Sequence, residues 1–224
     1  EYNMGKAYVT GLCEKLKKTG VISLVSNHDF QKTISKDDLK ERMYDMKKCG
    51  ADIVKYQTAV PELVVSRFAE KAEYQKQTTD AAESQLEMIR KLHFSFEGHR
   101  ELKEYCDFIG IQYLSAPFDI PSVRVLGMPL IKIPSGEITN LPYLEEIGKL
   151  HTPALLSTGM CNLSEITDAL GILDDNGCPE VTILHCNTQY PTPYEDANLT
   201  AMLELFDQFG LPVGLSDHTP GWEC

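Results

Sequence analysis

Short apolar and β-branched runs alternate along the chain with amphipathic stretches, the pattern of repeated strand–helix units rather than of an antiparallel fold. Seven runs read as strands: Val21–Asn27, Ala51–Gln57, Gly110–Ser115, Leu130–Ile133, Pro153–Ser157, Val181–Cys186 and Pro212–Ser216. Between them lie helical patterns with start and stop signals. Ser35 and Asn162 each precede an acidic residue by three positions, Asp38 and Glu165, as a capping arrangement requires. Gly50, Gly110 and Gly210 stand where helices should stop, and Pro142 falls in a first turn, where its missing N–H is harmless. The long irregular stretch from Pro61 to about Thr79 has the length of a functional loop.

Polar residues gather at the C-terminal end of nearly every predicted strand: Asn27 and His28, Lys55 and Gln57, Ser115, Ser135 and Glu137, Ser157 and Thr158, Asn187 and Thr188, and Ser216 to His218. An open doubly wound sheet concentrates its site at one switch point, whereas a barrel rings its mouth with strand ends. The pattern therefore predicts an α/β fold of the (β/α)8 TIM-barrel type, incomplete or recombined because seven strands and a stub at Glu1 are present. Neither a glycine-rich dinucleotide fingerprint nor a Walker sequence occurs.

Composition narrows the function classes. With 224 residues, 42% hydrophobic and 24% charged, the chain is expected to fold as a single domain over residues 1–224. A net charge of −12 argues against a nucleic-acid face but leaves room for a small anion held by a few convergent cations. The apolar runs are too short to cross a bilayer and no signal pattern opens the chain, so a cytoplasmic protein is expected, with no membrane partner. The seven scattered cysteines lack a Cys-x-x-Cys pair and are read as reduced.

Eight segments carry a resemblance: Ala51-Asp-Ile-Val-Lys55-Tyr-Gln57-Thr, Lys71-Ala-Glu-Tyr-Gln-Lys, Leu114-Ser-Ala-Pro-Phe118-Asp, Ile131-Lys-Ile-Pro-Ser135-Gly-Glu137-Ile-Thr-Asn140, Leu156-Ser-Thr-Gly-Met160, Leu184-His-Cys-Asn187, Tyr190-Pro-Thr-Pro and Gly214-Leu-Ser-Asp-His218-Thr. In order and spacing, over about residues 50–222, they resemble the sialic acid synthase (N-acetylneuraminate synthase) family. Residues 1–59, with Asn27-His28-Asp-Phe and Lys55, instead resemble type I 3-dehydroquinate dehydratase, another (β/α)8 enzyme. The chain thus reads as a synthase-like barrel, or as a recombined barrel without activity. Within residues 1–224 no counterpart of the synthase family's C-terminal antifreeze-like domain is expected.

The first resemblance implies an enzyme that condenses phosphoenolpyruvate with N-acetylmannosamine, or a related N-acetylhexosamine, and releases phosphate. It implies Lys55 and Lys132 as cations for phosphoenolpyruvate, with hydroxyls from Ser135, Ser157, Thr188 and Ser216 filling its remaining acceptors. Glu137, Gln57 and Tyr190 would surround the amino sugar, Glu137 as the proton-transfer group. His218 matches one of two ligands for a divalent metal, Mn²⁺ or Mg²⁺; the other lies on a following strand that the sequence does not contain. Ala116 stands where the family commonly has a threonine. The second resemblance gives Lys55 a Schiff-base role and His28 a general acid/base role in a dehydrating lyase. The lysine is expected to serve as a cationic anchor rather than a nucleophile, since everything after it follows the synthase pattern. His93, His99 and His151 are expected at the surface, and His185 facing either the barrel interior or the helix layer. An unpaired sheet edge would offer a route to a homodimer.

Overall fold

The computed structural model describes residues 24–26, 35–71, 75–76, 80, 82–125 and 127–220. They fall into two compact units, Glu1–Gly127 and Met128–Cys224.

In the first unit, strand β1 (Leu24–Ser26) leads to helix α1 (Lys36–Cys49), then β2 (Ile53–Thr58), the short helix α2 (Pro61–Val64), α3 (Gln85–Leu92), α4 (Phe96–Ile109), β3 (Gln112–Pro117) and α5 (Ile120–Val125). The three strands are parallel in the order β1-β2-β3. Helix α1 starts where Ser35 accepts the Asp38 N–H and stops at Gly50, whose φ of 97° only glycine adopts without cost. Its buried side chains, Leu39, Met43 and Met46, repeat at helical spacing along one stripe. Helix α4 is capped by Ser95 and ends at Gly110. After α2, buried Lys71 donates to the Asp80 carbonyl and to the Glu83 carboxylate.

The second unit alternates β4 (Ile131–Ile133), a 3₁₀ turn (Ser135–Glu137), α6 (Leu141–Gly148), β5 (Ala154–Ser157), α7 (Leu163–Asp175), β6 (Val181–Cys186), a second 3₁₀ turn (Tyr194–Asp196), α8 (Ala201–Phe209) and β7 (Val213–Ser216). Its four strands are parallel and consecutive. The Asn162–Glu165 pair forms the full reciprocal box expected of it. Ile131, Ile133, Leu144, Ile147, Leu156, Leu173 and Ile183 are essentially inaccessible, and each such side chain contributes roughly 1.5–3 kcal/mol of apolar burial. Among the described residues, no helix is long and apolar enough to cross a membrane.

All seven predicted strands are present where described, each within two residues of its expected bounds; Val21 to Ser23 and Asn27 lie outside the described residues.

Candidate active site

Side chains alternate across a strand, so the parallel registers decide which strand-end groups share a face. In β2, Val54, Tyr56 and Thr58 are buried on one face, while Lys55 and Gln57 lie together on the other, both partly accessible. Gln57 pairs with Ala116 and Lys55 with Leu114. Burial lowers the Lys55 ammonium from its ordinary value to about 8. At neutral pH about nine in ten of these lysines still carry a proton.

Ser115, expected in the polar ring, belongs to the opposite face. It pairs with Tyr56, and its hydroxyl meets that of Thr58 at 2.6 Å in the buried layer beneath helix α4. The same layer holds His99, a correction to its expected surface position: it is 1% exposed, its Nδ1 lies 2.9 Å from the Tyr113 hydroxyl, and burial lowers its pKa to about 4. His93 is half-buried, and burial lowers its pKa as well. The sequence did hold a signal for His99, because it shares its stripe with Leu102 and Cys106, both buried. His151 is exposed as expected.

In the second unit the ladder registers Lys132 with Leu155, Ser157 with Leu184, Leu184 with Gly214, and Cys186 with Ser216. Lys132, Ser157, Cys186 and Ser216 therefore share one face of this sheet. Ser157 is 1% exposed, and its Oγ has no hydrogen-bond partner. The turn after it packs closely on β6: the Thr158 N–H and hydroxyl both donate to the Leu184 carbonyl, and the Gly159 N–H points at the Cys186 sulfur, 3.2 Å away. A β-carbon on Gly159 would lie 2.8 Å from the Thr188 methyl group. Ser135 opens the 3₁₀ turn beyond β4, and Glu137 closes it with its Oε2 accepting from Asn140 Nδ2 at 2.7 Å.

At the far end of this sheet, Tyr190 precedes a cis peptide to Pro191, and its ring meets His218 edge-on with centroids 4.5 Å apart. The His218 carbonyl accepts the Thr192 N–H, and its Nε2 lies 3.4 Å from Ser216 Oγ. His185 turns its ring to the loop, with Nε2 2.8 Å from the Ala197 carbonyl, while Asn187 donates to the carbonyl of Asp196. His28 lies outside the described residues. So do residues 221–224.

The divalent metal implied by the resemblance finds one imidazole, His218. Among the described residues no group of three or more His, Cys, Asp or Glu side chains stands together to hold a metal. They do not by themselves complete a site for it.

What this set of residues offers is anion chemistry: ammonium groups on strand faces, hydroxyls beside them, and a carboxylate steadied by an amide. The model of the NeuB family matches residues 43–224. The N,N'-diacetyllegionaminic acid synthase of Campylobacter jejuni is 46% identical over 92% of this chain and 62% of its own length. The N-acetylneuraminate-9-phosphate synthase of Homo sapiens is 32% identical over 82% of this chain and 52% of its own. Among solved structures, the N-acetylneuraminic acid synthetase of Leptospira borgpetersenii superposes with a TM-score of 0.74 at 28% identity, covering 90% of this chain and 66% of that one. The chain thus spans between half and about two thirds of the length of these relatives. The Campylobacter likeness covers more of the chain than residues 43–224 occupy, so it runs into the segment that resembles a dehydratase. The alternating helices and parallel strands are of the (β/α)8 TIM-barrel type. The chain belongs to the NeuB family.

Proposed function

We propose that the chain is the barrel portion of a nonulosonic acid synthase, which joins phosphoenolpyruvate to the open-chain form of an N-acetylated hexosamine in the cytoplasm. The carrying observation is Ser157. A hydroxyl that is desolvated without a partner costs free energy, and this one shares its face with Lys132 and Ser216, where a phosphate or carboxylate oxygen would complete it. On this reading Lys55 and Lys132 hold the phosphoenolpyruvate anion, and hydroxyls of Ser135, Ser157, Thr188 and Ser216 take its remaining acceptors.

The methylene carbon of phosphoenolpyruvate attacks the sugar aldehyde and forms the new carbon–carbon bond, while the aldehyde oxygen takes a proton. Water adds to the resulting cationic carbon, and the carbon–oxygen bond to phosphate then breaks. Glu137 is the proton-transfer group, held in place by Asn140. Gln57 and Tyr190 contact the amino sugar. A divalent metal would polarise the aldehyde when bound, and among the described residues His218 would help to hold it.

Identity favours a doubly N-acetylated sugar, since the diacetyllegionaminic acid synthase is 46% identical and the neuraminate-9-phosphate synthase 32%. The test is release of inorganic phosphate from phosphoenolpyruvate with Mn²⁺ or Mg²⁺ and either N-acetylmannosamine or a diacetamido hexose. Release with the diacetamido sugar in excess of the mono-acetylated one is expected. No release above a Lys55→Ala control with either sugar would sink the proposal.

Burial lowers the Lys55 pKa to about 8, a value open to either role, so the anchor reading rests on the synthase pattern that follows the lysine. Borohydride with 3-dehydroquinate should leave the intact mass unchanged. An adduct lost in Lys55→Ala would move the function to dehydration.

A further inference from the structure

We propose that Asp119 is a positioning residue for Gln57. The inference rests on the synthase reading only in taking Gln57 as a sugar contact.

Strand β2 reaches its end in an awkward place. The last registered pairs are Gln57 with Ala116 and Thr58 with Pro117, and Pro117 has no N–H to give to the ladder. On the β3 side Gln57 is registered with Ala116, whose methyl group is too short to brace a long amide side chain. Pro61, just beyond, lacks a donor as well. The backbone that carries Gln57 would therefore lose its support at the point where its side chain must be aimed.

Asp119 supplies the support from 59 residues away. It is 8% exposed, and its Oδ2 accepts the Val60 N–H at 2.7 Å and the Ser122 hydroxyl at 2.9 Å. Its Oδ1 accepts the Ser122 N–H at 2.8 Å, which fixes the carboxylate against the start of α5. Two further ties flank it: the Phe118 N–H donates to the Thr58 carbonyl at 3.0 Å, and the hydroxyls of Thr58 and Ser115 meet. Of these ties, the one beyond Thr58 is made to a carboxylate oxygen that is itself fixed by Ser122. It stops the turn after β2 from swinging and so sets the direction of Gln57. Lys55, in mid-strand, is already held by ladders on both sides through Ser26 and Leu114, and does not depend on this clasp.

The experiment combines amide exchange with a double-mutant cycle on this chain. In the wild type the Val60 amide should be protected by about 100-fold or more over an unstructured peptide, and Asp119→Ala should remove that protection. Asp119→Ala should raise the KM for the amino sugar by about tenfold while the KM for phosphoenolpyruvate stays within about twofold. In a Gln57→Ala background the same substitution should add less than about twofold. Asp119→Asn, which keeps the shape and one acceptor oxygen, carries the test if the alanine variant does not fold. An unprotected Val60 amide in the wild type overturns the proposal. So does a rise in the phosphoenolpyruvate KM equal to that for the sugar, or full multiplication of the Asp119 and Gln57 effects. If the wild type turns over neither sugar, the synthase reading fails by itself. The clasp is then decided by nitrogen relaxation of the Gln57 backbone amide, which must show added motion in the Asp119 variant for the proposal to stand.

Discussion

The Gly159 N–H donates to the sulfur of Cys186 at 3.2 Å, and the two residues approach so closely that a β-carbon on Gly159 would lie 2.9 Å from that sulfur. The Thr188 methyl group and the Cys186 carbonyl close the space from the other sides. Gly159→Ala must push the turn after β5 off β6, and with it Ser157. Overpacking of this kind costs about 1–3 kcal/mol. Urea unfolding should show the loss, together with weaker phosphoenolpyruvate binding. An alanine variant with unchanged stability would mean that the turn accommodates the methyl group.

Ser157 should separate stability from binding. Its buried hydroxyl makes no hydrogen bond, so Ser157→Ala removes a desolvated polar group and leaves no partner orphaned. The melting temperature should stay level or rise. Affinity for phosphoenolpyruvate should fall by about tenfold, the loss of one hydrogen bond to a charged ligand. Calorimetry with scanning and titration arms measures both, and a clear drop in melting temperature would count against the unpaired state of the hydroxyl.

Lys55 is destabilising where it stands. Its folded pKa of about 8 lies below the ordinary lysine value, so the cost of holding it charged is present in full below pH 8 and disappears as pH rises through the unfolded value. Lys55→Met should stabilise the protein at pH 7 by about 1–3 kcal/mol, with the gain fading by pH 10.5. A bound dianion favours the charged form, so phosphoenolpyruvate binding at pH 8 should take up about half a proton. Titration in two buffers of different ionisation enthalpy reads that uptake, and zero uptake would contradict the lysine as anchor.

His99 predicts the shape of the acid limb. Neutral in the fold and depressed to about 4, it contributes stability that is complete above its unfolded value near 6.5 and is lost as pH falls toward 4, by about 3 kcal/mol. His93, lowered by burial, adds to the same limb. His99→Phe should flatten the stability profile between pH 6.5 and 4. An unchanged slope would assign the limb to other groups.

Local physics made much of this protein legible in its sequence. The strands follow from β-branched runs, and the helix limits follow from Ser35, Asn162, Gly50, Gly110 and Gly210, because capping and left-handed stops are decided within a few residues. The common face of Lys55 and Gln57 follows from the two-residue period of a strand. The start of α3 is equally local: Ser84 and Glu87 form a reciprocal capping box that the spacing alone would have revealed.

Other features depended on contacts between distant segments, which no local rule contains. Ser115 closes a strand expected from the sequence just as Ser157 does, yet the register with β2 turns it onto the Thr58 face. A one-residue difference in pairing would have reversed that assignment. His99 reads as a polar residue in a helix until Tyr56, Tyr113 and Phe94 close around its ring. The Asp119 clasp on Val60 and the unpaired hydroxyl of Ser157 likewise exist only once the strands are side by side. The sequence by itself determined the strands, the caps and the family's chemical groups, since these are set by near neighbours. Only the tertiary structure decided which groups are buried, which are paired and which face they share, because burial and register are properties of packed segments far apart in the chain.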